Sequence, residues 1–148
     1  MCAMNELQKK LIIKHYSEPQ NHGLIKDDSY LYIHYKNNSC GDAIDLQIKI
    51  VDDVILDIKH NAQACSVCCA SASLMSVHLK KKTINEVMNR VNIFLEMIKD
   101  KKIDETQIDP ELKIFKLLNK PSSRILCISL PWEAIKKNIE QNYYCLKS

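Results

Sequence analysis

"AIDLQIKIVDDVILDIKH", residues 43–60, decides the fold. Ile44, Leu46, Ile48 and Ile50 alternate with Asp45, Gln47 and Lys49, the period-two pattern of a strand with one apolar and one wet face. "VILDIKH" repeats the pattern, with Val54, Leu56 and Ile58 assigned to the apolar face. The link "VDDV" reads as a tight hairpin turn. Upstream, "YLYIHYK" (residues 30–36) is aromatic and β-branched and reads as a third strand. Consecutive strands with a single apolar face imply an antiparallel sheet covered on one side.

The cover comes from helices. Leu7, Leu11 and Ile12 form an apolar stripe between Asn5 and Tyr16, which Pro19 and Gly23 bring to an end. "SVCCASASLMSVHLKK" is rich in small residues and predicts a closely packed helix. Thr83 and Glu86 form a capping box, followed by a stripe of Ile84, Val87, Met88, Val91, Leu95 and Ile98. Asp109 and Pro110 open another helix as N-cap and first turn. A last helix follows Pro131, with Trp132, Ile135 and Ile139 inward. The result is an α+β fold, a three-stranded antiparallel sheet with helices mainly on one face, read as a single domain over residues 1–148.

The 148 residues, 46% hydrophobic and 26% charged, fit one globular core. A net charge of +3 is too mild to argue for nucleic acid, and Lys80–Lys82 and Lys99–Lys102 fall at helix ends as solvated charge. No apolar run suits a membrane span, and "MCAMNELQKK" lacks the apolar core of a signal peptide. The expectation is a cytoplasmic protein, whose seven cysteines are thiols or ligands rather than a disulfide framework.

Strand geometry groups some of those cysteines. If Ile50 and Val54 flank the turn, paired residue numbers sum to about 104, which puts Asp42 opposite Ala62. Cys40 and Cys65 then leave the sheet at the same end, and Gly41 permits a backbone turn that aims Cys40 and Asp42 at one point. Two thiolates and a carboxylate suit a tetrahedral metal that needs a fourth ligand. Cys127 is the candidate, since "RILCISLPW" sits where a helix begins, although spacing alone does not bring it to the site. The competing reading makes Cys40, Cys65 and Cys127 small buried hydrophobes. Cys68 and Cys69 read as packing, with metal ligation as the alternative, and Cys2 and Cys145 as free thiols. The five histidines show no pair at ligand spacing; His15 and His22 read as surface or packing residues.

Four stretches in order resemble the SufU/IscU (NifU-like N-terminal) family of iron–sulfur cluster assembly proteins: "LIIKHYSEPQNHGLI", "NNSCGDAIDLQIKI", "ACSVCCASASLMS" and "RILCISLPWEAI". The resemblance implies one site of Cys40, Asp42, Cys65 and Cys127, with Arg124 beside it. It implies persulfide sulfur received from a pyridoxal-phosphate cysteine desulfurase of the SufS/IscS type and passed to downstream assembly or acceptor proteins. Two features resemble the SufU branch, in which the site holds Zn²⁺ and the protein is a sulfurtransferase. These are the long interval between Cys65 and Cys127, and Leu126 where IscU-like proteins carry a histidine. Cys40 is then the expected persulfide acceptor and Cys127 the runner-up. The alternative from the IscU branch is a scaffold for a transient [2Fe–2S] cluster, with iron in place of zinc and Asp42 favouring lability. A structural zinc domain that binds a partner or nucleic acid is the reading from another class. The chain departs from the family at Asn38, where a proline is frequent, and at Ala64, where glycine is usual; Cys68 and Cys69 are unusual in the helix.

Overall fold

The computed structural model describes residues 5–36, 41–119 and 123–147. Among these residues one sheet forms, with strand order β1-β2-β3: β1 Leu31–Lys36, β2 Ala43–Val51 and β3 Val54–Gln63, all antiparallel. Around it run α1 Glu6–Ser17, α2 Ser66–Leu79, α3 Ile84–Ile98, α4 Ile114–Leu117, α5 Ser123–Asn138 and α6 Tyr144–Lys147. The α+β architecture read from the sequence is the observed one.

The hairpin closes through Asp52 and Asp53, whose φ angles of 52° and 62° are both left-handed. A two-residue turn of that kind matches the twist of the strands, and aspartate tolerates the conformation better than most residues. Val51 and Val54 flank it, one residue beyond Ile50. A register shift between Lys49 and Ile50 then leaves Leu56 as an extra residue on β3. Two expectations change as a result. Ala43 pairs with Gln63 rather than with Asn61, and the buried face of β3 is Ile55, Ile58 and His60 instead of Val54, Leu56 and Ile58.

Ile44, Leu46 and Ile48 form the middle of the inner face and are fully buried, with α5 packed on β2 and α2 on β3. Phe94 stacks on Trp132 with ring centroids 3.8 Å apart and completes the core between α3 and α5. The stripe expected on α3 is buried at Ile84, Val87, Val91 and Ile98, while Met88 and Leu95 lie at its edge and Phe94 and Met97 take the deeper places. On α1, Leu7 is exposed; Leu11 and Ile12 pack against the core, and His15 is buried. The Asp109–Pro110 start holds, but as a 3-10 turn, Pro110–Lys113, leading into α4.

The free edge of β3 receives backbone from two directions. Gly23 N–H donates to the His60 carbonyl at 2.8 Å, and His60 N–H to the Asn21 carbonyl at 3.2 Å. Nearer the turn, Lys81 N–H donates to the Ile55 carbonyl at 2.7 Å and Ile55 N–H to the Lys82 carbonyl at 2.9 Å.

His60 is 1% exposed, and its Nε2 donates to the Gln20 carbonyl at 2.8 Å. Nδ1 is therefore an unprotonated acceptor, buried without a partner among the described residues. Burial lowers the imidazole to about 4. The unfolded chain thus takes up a proton near the ordinary value that the folded chain resists until about 4. Stability should fall as pH drops through that window. Between about pH 7 and about pH 4.5 the share from His60 is of order 2–3 kcal/mol. Urea denaturation at both pH values, on the protein and on His60→Gln, checks this; equal slopes in the two proteins would refute it.

Candidate metal centre

Asp42 lies just before β2, after Gly41, whose φ of 76° is left-handed and costs a glycine little. Because β2 and β3 run antiparallel, the start of β2 and the end of β3 share one end of the sheet. Cys65 follows there as the N-cap of α2. Its side chain makes no capping hydrogen bond, so the thiol is available to the site. The sulfur of Cys127 comes from α5. The helix expected to follow Pro131 in fact begins at Ser123 and runs through Pro131, so Cys127 lies in its second turn and not at its N-terminus. Packing against α2 and the sheet holds helical geometry past the proline, which removes a hydrogen-bond donor from one turn.

The ligand atoms of Asp42, Cys65 and Cys127 all lie within 4.8 Å of one another. Cys127 Sγ donates to Asp42 Oδ2 at 3.4 Å. Zinc bonds of about 2.0–2.3 Å in a tetrahedron require donor separations of roughly 3.5–3.8 Å. The donor set suits a thiophilic divalent cation, and the separation of Cys127 Sγ from Asp42 Oδ2 is close to the tetrahedral one. Asp42 and Cys127 are half-buried, whereas Cys65 is exposed. Burial pushes the Cys127 thiol up, and the adjoining Cys65 thiol and Asp42 carboxylate push it further. A nearby cation reverses that balance.

Cys40, expected as a ligand beside Asp42, lies outside the described residues, as does Cys2. Arg124 is exposed, one turn before Cys127 on α5. Leu126 is half-buried. Cys68 is fully buried in the core, and burial raises its thiol well above the ordinary range. Cys69 is half-buried and lines a cavity of about 250 Å³ with Tyr16, Pro19, His22, His60 and Ala62. Cys145 is exposed near the end of the chain. His15 packs inward with Nδ1 2.6 Å from Ser73 Oγ, and His22 lies edge-on to the His60 ring.

One constellation had no signal in the sequence. His78 Nδ1 is 3.4 Å from Asp109 Oδ2, and its Nε2 is 3.0 Å from Glu111 Oε2. The imidazole thus lies between two carboxylates and ties α2 to the turn before α4. Some thirty residues separate these groups in the chain, so no local spacing announces them.

An α+β fold with thiols and a carboxylate gathered at one sheet end defines a class of small thiolate-rich metal-binding proteins. The chain belongs to the NifU-like N-terminal domain family, which matches residues 7–98. It is 30% identical to the zinc-dependent sulfurtransferase SufU of Bacillus subtilis, over 92% of this chain and 91% of that protein. It is 28% identical to the iron–sulfur cluster assembly scaffold protein IscU of Streptococcus pyogenes, over 96% and 88% of the two chains. The crystal structure of a SUF-system protein from Fervidobacterium islandicum, assigned as an iron–sulfur cluster assembly scaffold, superposes with a TM-score of 0.78 at 26% identity. It covers 86% of this chain and 93% of that one.

Asp42→Ala should fold normally, because the carboxylate lies at the sheet end and outside the apolar core. Losing one ligand should weaken zinc affinity roughly tenfold or more. Competition titration with a chromophoric chelator checks this. Unchanged affinity would place Asp42 outside the coordination shell.

Proposed function

We propose that this chain is an iron–sulfur cluster assembly protein that accepts persulfide sulfur from a cysteine desulfurase at a metal site of Cys40, Asp42, Cys65 and Cys127. The observation that carries the reading is the convergence of Asp42, Cys65 and Cys127, with Cys65 exposed. A closed structural zinc site would bury its thiolates; an exposed ligand suits a site that exchanges with a partner. The SufU relative supports zinc as the resident metal and sulfur transfer as the activity. Bound zinc would hold the thiolates deprotonated while tempering their reactivity.

The chain's own residues supply the rest. Cys40 adjoins Gly41, whose left-handed backbone suits a turn that presents a thiolate to a partner. Its thiolate attacks the outer sulfur of the desulfurase persulfide. A new S–S bond forms on Cys40, and the desulfurase cysteine leaves as a thiolate. Cys65 begins a helix packed in the core and is held more firmly. Arg124 adds positive charge beside the approaching persulfide. The sulfur then passes to downstream assembly proteins in the cytoplasm, where thiols stay reduced.

The IscU relative supports a second reading, a scaffold for a transient [2Fe–2S] cluster on the same ligands. Brief reaction with a pyridoxal-phosphate cysteine desulfurase and cysteine, then alkylation and peptide mass spectrometry, should find the extra sulfur first on Cys40. Early label on Cys127 favours the scaffold type. Label confined to Cys2 or Cys145 would mean that the site does not accept sulfur.

A further inference from the structure

Cys65 and Cys68 form a C-x-x-C pair at a helix N-terminus, with Cys65 at the N-cap and Cys68 three residues on. Neither the proposed transfer nor the metal shell uses Cys68. Residues three apart on an α-helix have Cα atoms about 5 Å apart, inside the span that a disulfide bridges. Side chains at the N-cap and at the third helical position also lean toward one another, as they do in a capping box. Cys65 is exposed, while Cys68 is fully buried beneath it. This asymmetry, an accessible thiol and a shielded one on the same first turn, is the arrangement that dithiol redox motifs use. Of the two, Cys65 can meet an external sulfur donor and Cys68 is kept away from one.

We propose that Cys68 is a resolving thiol that releases sulfide from a persulfide carried on Cys65. The inference rests on the sulfur-accepting role proposed above. Cys65 gains its persulfide by exchange at the site. The sulfur of Cys68 attacks the inner sulfur, Sγ of Cys65. The Cys65–Cys68 disulfide forms, the bond between Cys65 and the outer sulfur breaks, and that sulfur leaves as hydrosulfide with the proton given up by Cys68. The outer sulfur gains two electrons, one from each cysteine. A dithiol reductant then restores both thiols and is itself oxidised to a disulfide. The chain would thereby deliver sulfur as sulfide, the oxidation level that clusters contain, without drawing on a reductant in the releasing step. The same disulfide takes Cys65 out of the metal shell, so release of sulfide and loss of a ligand are one event.

The test uses the full-length chain purified without air, in two arms. One arm supplies desulfurase and cysteine, and the other supplies inorganic polysulfide. Both omit added thiols. Sulfide is measured colorimetrically, and disulfides are mapped by peptide mass spectrometry. In each arm the Cys65–Cys68 disulfide should accumulate in step with the sulfide released. Cys68→Ala should retain persulfide on Cys65 and release at least tenfold less sulfide. The disulfide map of the unaltered chain decides the matter even if that variant folds poorly. A stable Cys65 persulfide without release would overturn the inference, as would a disulfide from Cys65 to Cys69 or Cys127. Undiminished release from folded Cys68→Ala, or a Cys65 that takes up no sulfur in either arm, would overturn it as well. If polysulfide yields disulfide and sulfide while the desulfurase loads no cysteine, the proposed function fails and the inference stands.

Discussion

The hydroxyl of Ser71 accepts a hydrogen bond from the Trp132 indole at 3.0 Å and donates one to the Ile128 carbonyl at 2.7 Å, locking α5 against α2. All three groups are buried, so leaving any of them unpaired would cost about 1–3 kcal/mol. The joint lies one turn and a half into α2 from Cys65, and its carbonyl partner is the residue after Cys127. The spacing of the two sulfurs therefore depends on how closely the helices approach. Buried Ala70, Ser71, Ala72 and Ser73 permit that approach, since bulkier side chains would hold the helices apart. The opposite flank of α2 uses the same device. Ser73 Oγ accepts from Gln20 N–H at 2.7 Å, which leaves its hydroxyl proton for His15 Nδ1. Burial keeps that imidazole's proton affinity low, consistent with an accepting nitrogen.

Much of this was legible in the chain. Alternation in residues 43–50 marked β2 and its buried face, because a period of two has only one structural meaning at that length. Antiparallel pairing then brought Asp42 and Cys65 to one end without knowledge of the helices. An error of two residues in register did not matter, because a shift of two preserves both the face and the end of the sheet. Small residues after Cys65 announced close packing, and Trp132, Ile135 and Ile139 were placed inward correctly.

What failed was set by tertiary context. The bulge at Leu56 inserts a residue where hydropathy shows only a continuous apolar run, so Ile55 and Leu56 exchanged roles. Pro131 read as a helix start, since proline is favoured in a first turn and costly inside. Packing of α5 on α2, α3 and the sheet outweighed that cost. Cys127 was a candidate ligand by its expected helix start, but nothing in the spacing placed it beside Asp42; the family resemblance did. Phe94 fell outside the expected α3 stripe, and its importance lies in a partner, Trp132, far along the chain.

The covered edge of β3 has a consequence for how the protein meets other chains. An unpaired strand edge is a template for self-association. Here the segment after α1 and the link between α2 and α3 occupy opposite ends of that edge with backbone hydrogen bonds. A partner cannot add a strand at either stretch without first displacing the chain's own residues. Recognition on this side must work through side chains and loop shape. A truncation that removed α1 with residues 18–23 would do more than bare one helix-packing surface. It would uncover backbone donors and acceptors beside His60, and convert a self-contained sheet into one prone to aggregate.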